Sequence, residues 1–78
     1  MEKDNIILDI QNIIRDVLDD QTIVLTDMTT ASDVEEWDSL THIQLVVAIE
    51  KHFKIKFSSK EILSWKNVGE MAESIMQK

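Results

Sequence analysis

The chain has 78 residues, a net charge of -7, and hydrophobic and charged fractions of 44% and 29%, with no proline and a single glycine, Gly69. That length allows one domain (residues 1–78) burying only about 60% of its unfolded surface, and the composition favours compact helices over a turn-rich sandwich or a disordered tail. With no cysteine, disulfides, thiolate metal sites and cysteine nucleophiles are excluded, so any thiol chemistry must use an imported thiol.

Ile6, Ile7, Ile10, Ile13, Ile14, Val17 and Leu18 recur every three or four residues, as one apolar stripe of a helix does. Asp4 or Asn5 is a candidate cap, which predicts helix one from about residue 5 to about residue 19. From Asp19 to Trp37 no sustained period is present. This stretch is read as a long loop pinned by its own apolar residues Ile23, Val24, Leu25, Met28 and Val34. Within it, Ser32 and Glu35 have the spacing of a capping box, so a short helical turn is expected there.

Helix two is predicted from Ser39 to near His52, with Ile43, Val46, Val47, Ile49 and Phe53 apolar and Thr41, Gln44, Ala48 and Lys51 as a polar stripe. Its β-branched residues lower helix propensity, so burial must support it. Phe53-Lys54-Ile55-Lys56-Phe57 alternates strictly and predicts an extended segment, packed as a loop for want of a partner strand. Ser58 with Glu61, and then Asn67 with Glu70, predict a short third helix and a fourth helix reaching the C-terminus. The expected fold is an all-α four-helix bundle with three main helices, one short helix and a long loop between helices one and two. Trp37 and Trp65 are read as packing residues, and Met71 and Met76 as core.

Residues 1–50 carry a net charge of -10 and residues 51–78 a net charge of +3. The acidic part repels nucleic acid and anionic lipid and attracts basic protein surfaces. The longest apolar run, Leu45 to Ile49, is far too short for a signal or a membrane span, so a cytoplasmic chain without membrane insertion is expected. No two histidines have metal-ligand spacing on one helix, and no metal site is expected.

Asp38-Ser39-Leu40 stands at the junction of the loop and helix two, behind Glu35, Glu36 and Trp37. It resembles the Asp-Ser-Leu motif of acyl and peptidyl carrier proteins, whose serine receives phosphopantetheine from coenzyme A. Glu50-Lys51-His52-Phe53-Lys54-Ile55 is similar to the Glu-x-x-Phe-x-Ile element of that family, and Asn67-Val68-Gly69-Glu70 to the start of its last helix. The likeness extends over essentially the whole chain. It implies a free-standing acyl carrier protein that holds an acyl intermediate as a thioester on phosphopantetheine attached to Ser39, with Asp38 and Leu40 flanking the site. Phosphate on a serine in the first turn of a helix meets free N–H groups and the positive end of the dipole, worth roughly 0.3–1 kcal/mol.

The partners implied are a phosphopantetheinyl transferase, an acyl- or aminoacyl-loading ligase and downstream acyl-transfer enzymes, visited by a monomer. They would dock on Leu40, Thr41, Ile43, Gln44 and Val47. Where fatty-acid carriers often have carboxylates on helix two, this chain has Thr41, Gln44 and Lys51, which points to a specialised pathway. Lys51, Lys54, Lys56 and Lys60 form a basic run, read either as contacts for an acidic partner or as solvated flanks.

Two readings compete within the same fold: an aminoacyl or peptidyl carrier, and an unmodified helical adaptor. A hydrolase using Ser39 and His42 lacks a Gly-rich nucleophile elbow, and no catalytic residue is assigned. His42 is taken instead as a surface residue touching partners, and His52 as a helix C-terminal residue facing the dipole.

Overall fold

Four helices account for most of the chain in the computed structural model, which describes residues 2–78: α1 (Lys3–Leu18), α2 (Ser39–Phe53), α3 (Ser59–Ser64) and α4 (Val68–Met76). One 3-10 turn, Ala31–Asp33, interrupts the connection between α1 and α2, and no strand forms among the described residues. The expected all-α architecture is therefore the one observed.

α1 packs against both α2 and α4. The isoleucine stripe makes that possible, because Ile6, Ile10 and Ile14 lie one above another on one face and are all buried. The helix starts earlier than its candidate caps suggest. Glu2 occupies the cap position without a side-chain bond, and its carbonyl accepts the Ile6 N–H at 3.1 Å. Asp4 instead sits in the first turn, where a carboxylate favours the positive end of the dipole. At the other end Asp19 adopts the left-handed conformation (φ 53°), and the Asp20 N–H returns to the Arg15 carbonyl at 3.0 Å.

The long connection is held from two sides. Toward α1, the buried Gln11 accepts the Leu25 N–H on Oε1 at 2.9 Å and Arg15 Nε donates to the Ile23 carbonyl at 2.7 Å, which seats Ile23 and Leu25 in the core. Toward α4, the Val68 and Gly69 N–H groups donate to the carbonyls of Thr29 and Asp27, both at 2.8 Å. Val24 and Met28 do not join this pinning and stay exposed. The expected turn does form, but two residues earlier: Thr30 is its cap and donates its N–H to Asp33 Oδ2 at 3.0 Å. Ser32 and Glu35 cannot cap it because Val34 is already extended, carrying the chain toward Trp37.

α2 ends where Lys54 turns left-handed (φ 58°), and Glu50 Oε2 accepts the Phe57 N–H at 2.8 Å. Phe53, Ile55 and Phe57 consequently pack against the core while Lys54 and Lys56 face solvent, as the alternating pattern requires. Ser58 and Glu61 exchange N–H bonds of 3.1 Å in both directions and start α3. Asn67 Oδ1 accepts the Glu70 N–H at 2.9 Å and starts α4, although Glu70 reaches back to the Lys66 N–H and not to the cap. Met71 is core, but Met76, the last residue of α4, is 46% exposed, a correction to its expected burial.

Candidate functional site

The sequence around Ser39 makes a sharp change from loop to helix. Asp38 is extended and takes the Thr41 N–H on Oδ1 at 2.8 Å, while its carbonyl takes the His42 N–H at 2.9 Å. The bond from the Thr41 backbone holds the Asp38 carboxyl below its ordinary pKa. With those two N–H groups engaged, that of Ser39 is left for solvent or an anion. The Ser39 side chain is exposed, and among the described residues its hydroxyl takes no hydrogen-bond partner.

Trp37 fixes the approach to this corner. It is buried, its N–H donates to the Val34 carbonyl at 3.0 Å, and its indole Nε1–H donates to His42 Nδ1 at 3.1 Å. The His42 ring stacks on Trp37 with centroids 6.0 Å apart and meets the edge of Trp65 at 6.2 Å. Trp65 is in turn held by Ser74 Oγ at 2.7 Å and by an edge contact with Phe57 at 4.8 Å. His42 is thus half-buried in an aromatic cluster, a correction to its expected place on the free surface. His52 lies at the end of α2, 3.7 Å from Asp9 and against Phe53.

Leu40, Ile43 and Val47 share an exposed apolar face of α2, with the polar Gln44 among them. Thr41 does not belong to it: it is only 7% exposed and its hydroxyl donates to the Glu36 carbonyl at 3.2 Å. The sequence pattern missed this because α2 is apolar on two sides, and the buried side runs through Thr41, Leu45, Val46 and Ile49. Between the start of α2 and α3 lies an open groove of about 610 Å³, with Ser39 at its edge and Trp37, His42, Ile43, Ile62 and Leu63 among its walls.

These features suit an added phosphopantetheine: a hydroxyl free of partners, an open N–H beside it and an apolar trough to receive an arm. Ser39 would carry the ester, and the Ser39 N–H with the positive end of α2 would favour its phosphate. The group would supply a terminal thiol, which this cysteine-free chain lacks. No cluster of three potential metal ligands occurs among the described residues, and none of their helices is long and apolar enough to cross a membrane.

The cluster makes one prediction. As an acceptor, His42 Nδ1 must be unprotonated, and burial lowers the His42 pKa below its ordinary value. The folded chain therefore binds the proton less readily than the unfolded chain. The associated stability is complete above about pH 6.5 and is lost as the pH falls through the folded-state value. Thermal melts from pH 7.5 to pH 5 should show the wild type losing more stability than His42→Gln, whose side chain does not titrate. Equal losses would reject this role.

Comparison with known proteins agrees with the geometry. No curated sequence matches the chain. A holo acyl carrier protein from Geobacter metallireducens, solved by solution NMR, matches with a TM-score of 0.86 and 44% sequence identity, over 92% of this chain and 83% of that one. The family model described as the phosphopantetheine attachment site matches residues 9–75, from within α1 almost to the end of α4. On that span and that identity, the chain belongs to the phosphopantetheine-attachment family of carrier proteins.

Proposed function

We propose that Ser39 is the residue that receives phosphopantetheine, and that the chain carries an acyl group as a thioester on the thiol so acquired. The observation that carries this reading is the exposed, unbonded Ser39 hydroxyl at the first residue of α2, facing the apolar groove, within a chain of this family. In the loading step Ser39 Oγ bonds to the phosphorus that bears the pantetheine in coenzyme A. The pyrophosphate bond breaks, the nucleotide half leaves as adenosine 3′,5′-bisphosphate, and the serine proton passes to a base. His42 is not that base. Its Nδ1 is committed to the Trp37 indole, so the transferase must bring its own.

The exposed residues Leu40, Ile43, Gln44 and Val47 are proposed as the face on which the transferase, the loading ligase and acyl-transfer enzymes dock. Glu35, Glu36 and Asp38 lie ahead of this face, and Lys51, Lys54 and Lys56 lie beyond it. Partners with a basic region at the serine end and an acidic one at the far end would be oriented by that gradient, and carriers of one sign would compete poorly.

Incubation with coenzyme A, magnesium and a broad-specificity phosphopantetheinyl transferase should add one phosphopantetheine to the wild type and none to Ser39→Ala, as read by intact mass. No gain with several transferases would leave the unmodified adaptor as the better reading.

A further inference from the structure

Two spaces beside Ser39 share one wall. The larger is the open groove of about 610 Å³; the smaller is a recess of about 70 Å³, itself partly open to solvent, lined by the buried Thr29, Val68 and Met71, by Trp65 and by the exposed Ala31 and Lys66. Ala31, Trp37 and His42 line both, and the two rings make up most of the shared wall. A molecule of liquid water occupies about 30 Å³, so the recess accommodates only two or three atoms of carbon size and no long alkyl chain.

The wall is braced rather than loosely packed. Trp37 is tied to His42 by the 3.1 Å bond and by ring stacking, and the far side of His42 rests on Trp65. Trp65 is itself anchored to α4 through Ser74 and closed off by Phe57. To deepen the recess into the core, several hydrogen-bonded or stacked rings must move together, which close-packed interiors resist.

We infer that Trp37, His42 and Trp65 set the class of cargo by confining it to the open groove, so that the chain carries short or polar acyl groups and not long alkyl chains. The inference rests on Ser39 being the attachment point. A long chain left in that groove would keep much of its surface in water and gain little of the free energy of burial, whereas a short or polar group has little to lose there.

The test loads the wild type and Trp37→Ala with acetyl-, hexanoyl- and dodecanoyl-phosphopantetheine from the corresponding acyl coenzyme A. Intact mass is taken first, so a failure of attachment at Ser39 is seen as such. Melting temperatures and the indole N–H resonances of Trp37 and Trp65 are then compared. For the wild type, melting temperature should vary by no more than about 2 °C with chain length, and both indole resonances should keep their positions. In Trp37→Ala, where the two spaces become one, dodecanoyl should raise the melting temperature over acetyl by about 4 °C or more. A wild type that is stabilised progressively by longer chains, with shifted indole resonances, would overturn the inference. So would a variant as indifferent to length as the wild type. If Trp37→Ala does not fold, His42→Ala opens the same wall and is held to the same two outcomes.

Discussion

Gly69→Ala is expected to lower the stability of the chain by about 1–3 kcal/mol, although glycine to alanine inside a helix ordinarily raises it by about 0.5–1 kcal/mol. Gly69 is the second residue of α4 and its φ is not positive, so backbone freedom is not the reason. The reason is a close approach. A Cβ at this position would lie 2.7 Å from the Asp27 carbonyl oxygen, closer than a Cβ stands to a non-bonded atom, and 3.1 Å from Asp27 Cβ, a tight contact. The oxygen is held there by the Gly69 N–H, and the neighbouring Val68 N–H holds Thr29 in the same way. An added methyl must push the segment around residues 27–29 off α4 and weaken two bonds worth about 0.5–1.5 kcal/mol each. In a domain of this size the melting temperature should fall by about 4–8 °C per kcal/mol. Melts followed by circular dichroism check this, and the amide at position 69 should exchange faster in the variant than in the wild type. A variant as stable as the wild type would mean that the loop does not press on α4.

The same segment shows where the sequence was legible and where it was not. Most signals contained within four residues came through, the candidate caps of α1 excepted: Asp38 before Ser39, Ser58 with Glu61 and Asn67 with Glu70 each start a helix where the pattern places them. Where two local signals overlap, the chain decides between them by its surroundings. Thr30 with Asp33 competes with Ser32 and Glu35, and the earlier pair prevails because Val34 must extend for Trp37 to reach the core. Contacts across long separations left no local trace. Gln11 lies on a helical face that reads as apolar, and its burial makes sense only beside the Leu25 N–H, 14 residues away. His42 reads as one more exposed helix residue until Trp65, from beyond α3, is placed against it. Ser39 was legible because its exposure follows from its position at the first turn, whereas the composition of the face around it was not. Periodicity counts apolar residues but cannot say which of two apolar sides of α2 turns inward.

That ambiguity defines the second large effect. Ile43 and Ile49 are the same side chain on the same helix, the first 61% exposed and the second 0% exposed. Ile49→Ala should cost about 2–5 kcal/mol, because it removes buried methyl groups and leaves a cavity among residues such as Ile10 and Leu45. A 78-residue domain has a total stability of about 4–12 kcal/mol, so this single truncation is enough to bring the chain near its unfolding limit at ordinary temperature. Ile43→Ala should change stability by less than about 0.5 kcal/mol, since its side chain is already largely in water. Its cost should instead fall on encounters with partners. With Ile43 as an anchor of the docking face proposed above, its truncation should cost more than about 1 kcal/mol of binding, so modification of Ile43→Ala at limiting transferase should slow by about five-fold or more. Denaturant melts and initial rates of mass gain on both variants measure the two quantities separately. If Ile43→Ala is modified as fast as the wild type, docking does not use this face. If it loses stability as Ile49→Ala does, α2 turns a different side toward the core.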